Sequence, residues 1–389
     1  VDIQLSADQL IYDVAIIGAG PSGCACALSL YGKGLRVVVI DKENYPRDKI
    51  CGDAIPGPSF KAMRQINLIW ADKLKEFIDV ERITRSSIFA PNGKTITLDW
   101  VLYTYNSKRT SFDNFLMELV KNETDTEVIQ NNRLKQVQIT DEFVSATLIN
   151  GSVITARIII GADGANSVVR RQLMPNEKDP IRNAAAVRAY YSGITDIVSG
   201  VNEFHFFNEL LPGYFWMFPL PNGEVNVGFG ISQAKNEKDP KKLRESLSDI
   251  ITNYPSIAAR FQNAEQLTDF KGFGLPFWNG NKPISGTRFM LCGDAASLID
   301  PLQGHGIDKA IWSGYYAAKQ AISAITSNNY TAHYLADYDK ALYKRISPEL
   351  AKTAFIINLL IKFPKLMNLF TLIGQNQNRI QWIARKLKI

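Results

Sequence analysis

Tyr12 to Ile17 forms a short apolar run, the pattern of a strand buried in a parallel sheet. Gly18-Ala19-Gly20-Pro21-Ser22-Gly23 follows, then small residues in a helical pattern from Ser22 to about Tyr31. Gly32 and Gly34 end that helix, and Leu35 to Ile40 reads as a second strand with Asp41 at its end. The three pieces make one strand–helix–strand unit. Farther on, two alternating runs between Ser86 and Asp99 flank Pro91-Asn92-Gly93, a hairpin signal. Ser111 to Val120 predicts a helix, and Glu127 to Ile160 successive strands turning at Asn150-Gly151. Ala184 to Gly230 is strand-rich and aromatic. Arg288 to Leu291 reads as a buried strand running into Gly293-Asp294, and the chain beyond Gln303 as mostly helix. No internal repeat or low-complexity segment interrupts this order.

Composition narrows the class. The 389 residues are 46% hydrophobic and 21% charged, which excludes a disordered or fibrous chain. Four cysteines with no C-x-x-C pair support neither a disulfide framework nor a zinc site, and predict a reducing compartment. Net charge is +6, but the segment after Leu350 holds seven cations (Lys352, Lys362, Lys365, Arg379, Arg385, Lys386 and Lys388) and no acid. The remainder is therefore near neutral (6 − 7 = −1), and no nucleic-acid-binding face is expected. Val1 to Leu10 lacks the basic start and apolar run of a signal peptide. Ala354 to Ile373 is broken by Lys362, Pro364 and Lys365, which argues against a spanning helix.

The glycine-rich segment fits G-x-G-x-x-G in its proper setting. Gly18 permits the tight turn, Gly20 the approach of a pyrophosphate, and Gly23 the packing of helix on strand. The helix N-terminus at Ser22 offers free N–H groups to phosphate. Asp41, about 20 residues on, is placed to bond a ribose hydroxyl.

Two later segments add to this. Gly161-Ala162-Asp163-Gly164 follows an apolar strand, and Gly293-Asp294-Ala295-Ala296 precedes Asp300-Pro301-Leu302-Gln303-Gly304-His305-Gly306-Ile307. With these motifs the chain resembles the FAD-dependent superfamily that shares the p-hydroxybenzoate hydroxylase fold, over about Tyr12 to Ile325. The resemblance implies that Asp294 bonds the FAD ribitol and that Asp163 lies near the pyrophosphate. It also implies that Gly293 and Pro301, Gly304, Gly306 and Ile307 flank the flavin, where backbone N–H groups stabilise its reduced anion. Arg109, in Arg109-Thr110-Ser111-Phe112-Asp113, would contact the cofactor; the alternative is a surface helix cap with Asp113. His305 stands where many relatives carry Glu or Gln. It would either tune the reduced flavin or serve as a spacer. FAD is expected to be non-covalent.

Within that superfamily, Cys51-Gly52-Asp53 and the strand Gly213-Tyr214-Phe215-Trp216-Met217-Phe218-Pro219, with Asn226-Val227-Gly228-Phe229-Gly230, resemble the geranylgeranyl reductase family. That branch implies reduction of C=C bonds in a polyprenyl or other lipophilic substrate by hydride from reduced FAD. Cys51, Tyr214, Trp216 and His305 are then the candidate catalytic residues. Cys51 either positions or protonates the alkene, or is a small packing residue. Phe204, Phe206, Tyr214, Trp216, Phe218, Phe277 and Trp278 supply material for a lipid tunnel, or simply pack a sheet. The alternative activity is a flavin monooxygenase or halogenase, against which Tyr214 and Phe218 replace the Trp and Ile of the halogenase segment. A third reading is a flavin-bound tether without turnover.

The expected fold is mixed α/β (α+β): a Rossmann-like FAD-binding domain with an inserted antiparallel-sheet substrate domain and C-terminal helices. Residues 10–172 form the first part of the cofactor domain, with a small β insertion near 86–100. Residues 173–286 form the substrate domain, 287–330 the last part of the cofactor domain, and 331–389 a basic helical region. With no second G-x-G-x-x-G unit, NAD(P)H would bind transiently, or another carrier would donate electrons. Phe355, Ile356, Leu359, Leu360, Phe363, Leu366, Met367, Leu369 and Phe370, interspersed with lysines and followed by Trp382, make a basic amphipathic tail. That tail predicts either peripheral contact with a membrane's cytoplasmic face or a helix closing the catalytic domains.

Overall fold

The apolar runs condense into two sheets in a computed structural model that describes residues 10–175, 184–232, 240–363, 366 and 368. The first stretch contains β1 (Ile11–Ile17), α1 (Pro21–Leu30), β2 (Val37–Ile40), β3 (Ala54–Ile55), α2 (Gly57–Ile66) and α3 (Leu68–Lys75). It continues through β4 (Glu81–Phe89), β5 (Thr95–Asn106), α4 (Arg109–Glu123), β6 (Glu127–Ile129), β7 (Leu134–Ile139), β8 (Val144–Leu148) and β9 (Val153–Gly161). After α5 (Val168–Leu173) come β10 (Ala184–Ser192), β11 (Val201–His205), β12 (Tyr214–Pro219), β13 (Val225–Ser232), α6 (Pro240–Asn253) and α7 (Pro255–Ala258). The last stretch holds β14 (Glu265–Gln266), β15 (Lys271–Leu275), β16 (Ser285–Gly286), β17 (Phe289–Leu291), α8 (Ile307–Thr326) and α9 (Ala332–Lys362).

The first sheet has the order β16-β17-β9-β1-β2-β6, with β8 pairing β9 and β7 pairing β8. Strands β17, β9, β1, β2 and β6 run parallel. Val14, Ile16, Val38, Ile158 and Ile160 are fully buried in it, which is why these strands read as unbroken apolar runs rather than alternating ones. One core joins this sheet to α1, α4, α8 and α9.

The second sheet has the order β14-β10-β13-β12-β11-β4-β5-β3, with β15 also on β10. The hairpin expected as a small insertion in the cofactor domain belongs here. β4 and β5 pair around the Pro91-Asn92-Gly93 turn, but β4 also runs parallel to β11, from Arg85–Val201 to Phe89–His205. The hairpin therefore extends the aromatic sheet. In β12, Phe215 and Met217 join Val227, Phe229, Val187 and Ala189 in a second core with Leu243, Leu247 and Ile250 of α6. Tyr214, Trp216 and Phe218 must then lie on the opposite face, since successive side chains alternate.

Candidate active site

The glycine segment folds as a close-contact cradle at the end of β1. Gly18 has φ +98°, and a Cβ there would overlap the Ala162 carbonyl. A Cβ on Gly23 would overlap the Gly18 carbonyl oxygen. Gly20 is the N-cap of α1 and makes no side-chain cap, so the first helical N–H groups stay available. Asp41 sits at the end of β2, where its carboxylate accepts from the N–H of Ala19 at 2.6 Å and of Glu43 at 2.9 Å. Buried Ser22 abuts Gly293, whose Cβ would stand 3.0 Å from the Ser22 hydroxyl. The first and last cofactor segments are thus in contact.

Asp294 is ion-paired to Lys49 at 2.7 Å, and a Cβ on Gly306 would lie 3.7 Å from its Oδ1. The neighbouring loop is tied by Asp300, whose N–H donates to the His305 carbonyl at 3.0 Å and whose Oδ1 accepts from Leu302 and Gln303. Pro301 is buried, Gly304 has φ +71°, and Ile307 opens α8. His305 directs Nδ1 to Asp308 at 3.1 Å. Asp163 accepts from the N–H groups of Val168 and Val169 at 2.6 and 3.3 Å and so fastens α5. Its Oδ1 has no partner among the described residues, and burial pushes its pKa up.

Arg109 is not a surface cap. It is 2% exposed, and Nε and Nη2 each donate to Asp113 at 2.7 Å. The Cys51 thiol lies near enough to act on its guanidinium electrostatically. The cation beside the cradle is Arg47: its Nη2 lies 3.7 Å from where a Gly20 Cβ would stand, and its Nη1 lies 2.6 Å from Asp113. Burial alone would raise the Asp113 carboxyl, but Arg109 and Arg47 outweigh it and hold Asp113 below the usual carboxylate range. The Tyr45 hydroxyl donates to the Ala19 carbonyl at 2.6 Å.

These residues fit a flavin dinucleotide. The cradle leaves backbone approach at Gly20, Arg47 brings a cation beside that turn and Lys49 one to Asp294, and Asp41 and Asp294 offer carboxylates for hydroxyls. Tyr45, Arg47 and Lys49 escape a reading by motif; their signal was the alternation of charge in Arg47-Asp48-Lys49 just before Cys51.

The second half of the site is an aromatic wall. Phe204 lies 5.7 Å from Tyr214 and 5.1 Å from Phe218, and Trp216 lies 5.9 and 6.1 Å from those two rings. Phe206 extends the wall at 5.8 Å from Tyr214. Trp216 pairs with Gly228, where any Cβ would overlap the indole. Phe277 packs instead with Ala184 and Ile299, and Trp278 against the first core.

Residues 48–53 cross this wall as a strap. A Cβ on Gly52 would stand 3.3 Å from the Phe218 ring. Half-buried Cys51 offers its carbonyl to Asn226 Nδ2 at 2.8 Å. The same amide donates to Asp53 at 2.9 Å, and Asn226 Oδ1 accepts from Trp216 Nε1 at 3.0 Å. Asp53 is fully buried and also accepts from the Tyr190 hydroxyl at 2.7 Å. Burial pushes its carboxyl up to about 6 against those hydrogen bonds and the nearby Arg188. Arg188 is held at 2.9 Å by Asp48. The Tyr214 hydroxyl, raised to about 12 by burial, donates to the Gln303 carbonyl at 3.2 Å and joins wall to loop. Cys51, Tyr214 and Trp216 are thus brought together, while His305 is engaged by α8.

Two open clefts of about 450 and 500 Å³ lie beside Leu173 and Phe289 and beside Pro46 and Phe115. Neither is lined by the cradle or the wall.

A family model described as FAD binding domain matches residues 11–341. The chain belongs to that family. It is an FAD-dependent oxidoreductase of geranylgeranyl reductase type. The menaquinone reductase of Mycobacterium tuberculosis is 31% identical over 321 residues, covering 79% of this chain and 76% of that protein. The digeranylgeranylglycerophospholipid reductase of Methanosarcina acetivorans is 31% identical over 345 residues, covering 85% and 80%. A geranylgeranyl bacteriochlorophyll reductase-like protein from Thermoplasma acidophilum superposes with a TM-score of 0.81 at 24% identity, covering 94% and 92%. The halogenase PltM, in an FAD complex, superposes at 0.73 with 17% identity, covering 94% and 86%. At such identities the structural likeness speaks for the fold.

Proposed function

We propose that this oxidoreductase reduces carbon–carbon double bonds of a polyprenyl-type substrate. The observation that carries the reading is the strap laid on the wall, with Gly52 against Phe218 and Cys51 at its half-buried end. Bound FAD supplies the hydride. Phe204, Tyr214, Trp216 and Phe218 hold an isoprene unit and keep water from it. Cys51, steadied by Asn226 through its carbonyl and with Arg109 near its thiol, positions the alkene or passes the proton to it. Tyr214 keeps the wall in register with the loop that follows Asp300. The printed names of the two relatives, one for a quinone and one for a prenylated phospholipid, support a lipophilic substrate.

Electrons come from NAD(P)H or another carrier that binds in passing. Substrate access is by peripheral membrane contact. No described helix is long and apolar enough to cross a membrane. The far half of α9 instead presents Phe355 and Phe363, 69% and 50% exposed, beside exposed Lys352 and Lys362. Such a face suits an anionic bilayer. Met367, Leu369, Phe370, Trp382 and the last basic residues lie outside the described residues.

The test is an anaerobic product assay. Holoprotein reduced with dithionite is offered geranylgeranyl lipids and isoprenoid quinones, and product masses are read. Gain of hydrogen pairs is expected. No gain without oxygen, with one oxygen or halogen added in air, would move the activity to a monooxygenase or halogenase. Co-sedimentation with anionic vesicles reads the membrane part.

A further inference from the structure

Outside this site, the densest buried charge lies where α8 meets α9. Lys309 is 1% exposed, yet its ammonium pairs with Asp308 and with Glu349 of α9, each at 2.7 Å. The other Asp308 oxygen takes Nδ1 of His305, which stands between Gly304 and Gly306. One ligand atom each of Asp300, His305 and Glu349 lie within 4.8 Å of one another. Contact is therefore unbroken from half-buried Glu349 through Lys309 and Asp308 to the loop beside the flavin.

A buried ion pair of this kind is weak evidence of stabilisation. Burying ions costs desolvation, and apolar replacements of similar volume are often neutral or stabilising. Leu342, Ile346 and Leu350 already bury α9, and Arg345 stacks on Trp312 at 4.5 Å. Burial would raise the Asp308 carboxyl, but Lys309 and His305 hold it well below the usual range. Lys309 is driven up by its two carboxylates against its burial. Asp308 and Lys309 therefore both keep their charge, in a setting where salt and water screen them weakly.

We propose that Lys309 is a positioning residue for the flavin: through Asp308 and His305 it fixes the loop, and its charge offsets two carboxylates that would oppose a reduced, anionic ring. The inference rests on the flavin lying beside this loop and not on which substrate is reduced.

The experiment compares the reduction potential and visible spectrum of bound FAD in wild-type, Lys309→Met and Glu349→Gln holoproteins, alongside their melting temperatures. Lys309→Met leaves the carboxylates unopposed. It should favour oxidised flavin by roughly tenfold, about 30 mV downward for a two-electron couple. Glu349→Gln should move the potential upward, and the double variant should return toward wild type. A changed melting temperature with unmoved potentials would make the cluster merely structural and overturn the proposal. So would shifts of the same sign in both single variants. If Lys309→Met does not fold, Lys309→Arg decides beside Glu349→Gln: retained charge must keep the wild-type potential while Glu349→Gln raises it. No substrate enters the measurement, so a failure of the proposed alkene reduction leaves the result readable.

Discussion

The cradle and the wall are built from different material. The cradle is backbone held against backbone, and its glycines are fixed by atoms that have nowhere to go: the Ala162 carbonyl against Gly18, the Gly18 carbonyl against Gly23. The wall is side chains held by side chains, with one buried amide, Asn226, bonded to Trp216, Cys51 and Asp53. Where backbone meets backbone, as at Gly18 and Gly23, a side chain has no room, and such a site holds its ligand in one way. A side-chain site can be repacked at modest cost, so its shape is free to follow a substrate. In the proposed function, one half fixes the cofactor and the other specifies what it meets.

The sharpest way to break that contrast is Gly18→Val. It places a β-branched residue at φ +98° and drives it into a carbonyl that cannot retreat. A loss of about 5 kcal/mol or more is expected, read as the absence of soluble yellow protein. Recovery of folded, FAD-loaded protein would show that the cradle is not the close-packed device described here.

Gly228→Ala is the matching change in the wall. The new methyl overlaps the Trp216 indole, which must tilt. Overpacking of this kind costs about 1–3 kcal/mol, which a folded protein survives. FAD content should stay at wild-type level while turnover falls roughly tenfold from lost alignment. Loss of FAD in step with turnover would mean that wall and cradle are one unit.

The same contrast explains what could be read from the chain. The dinucleotide fingerprint is local: strand, glycines, helix and Asp41 fall within one unit, and Gly18 and Gly23 each have a steric reason. The parallel strands are legible because β1, β2 and β9 are apolar on both faces. The wall is legible only as aromatic strands. In β12 both the core face (Phe215, Met217) and the pocket face (Tyr214, Trp216, Phe218) are apolar, so alternation does not say which faces the site. That is settled by distant partners, Gly228 across the ladder and Gly52 on the strap. The hairpin of β4 and β5 is half legible for a similar reason: its turn declares that its strands pair, but not that β4 also pairs with β11. Arg47 and Lys49 gain meaning only when their loop folds back on Gly20 and Asp294. The pairing of Arg109 with Asp113 follows from their i, i+4 spacing on α4, but the burial of that pair does not.

Asp53 gives the smallest and most specific effect, because it makes the wall titrate. Its folded-state carboxyl sits near 6, above the ordinary 3.8. Between those values the folded protein holds more proton than the unfolded chain, so stability falls as pH rises through this window. Above about pH 6 the full penalty of a buried carboxylate applies, and acidification toward 4 relieves it. Asp53→Asn keeps an acceptor for Tyr190 and Asn226 but cannot ionise. Its stability relative to wild type should therefore increase by about 1 kcal/mol between about pH 5 and pH 8, read by urea unfolding. Turnover should separate the two roles of this residue. If Asp53 only holds Asn226, the variant keeps its rate at every pH. If the neutral acid matters to the strap's position over Trp216, wild-type turnover declines above about pH 6 and the variant's does not. Parallel pH slopes of stability in the two proteins would place the Asp53 carboxyl at its ordinary value and remove titration from the wall.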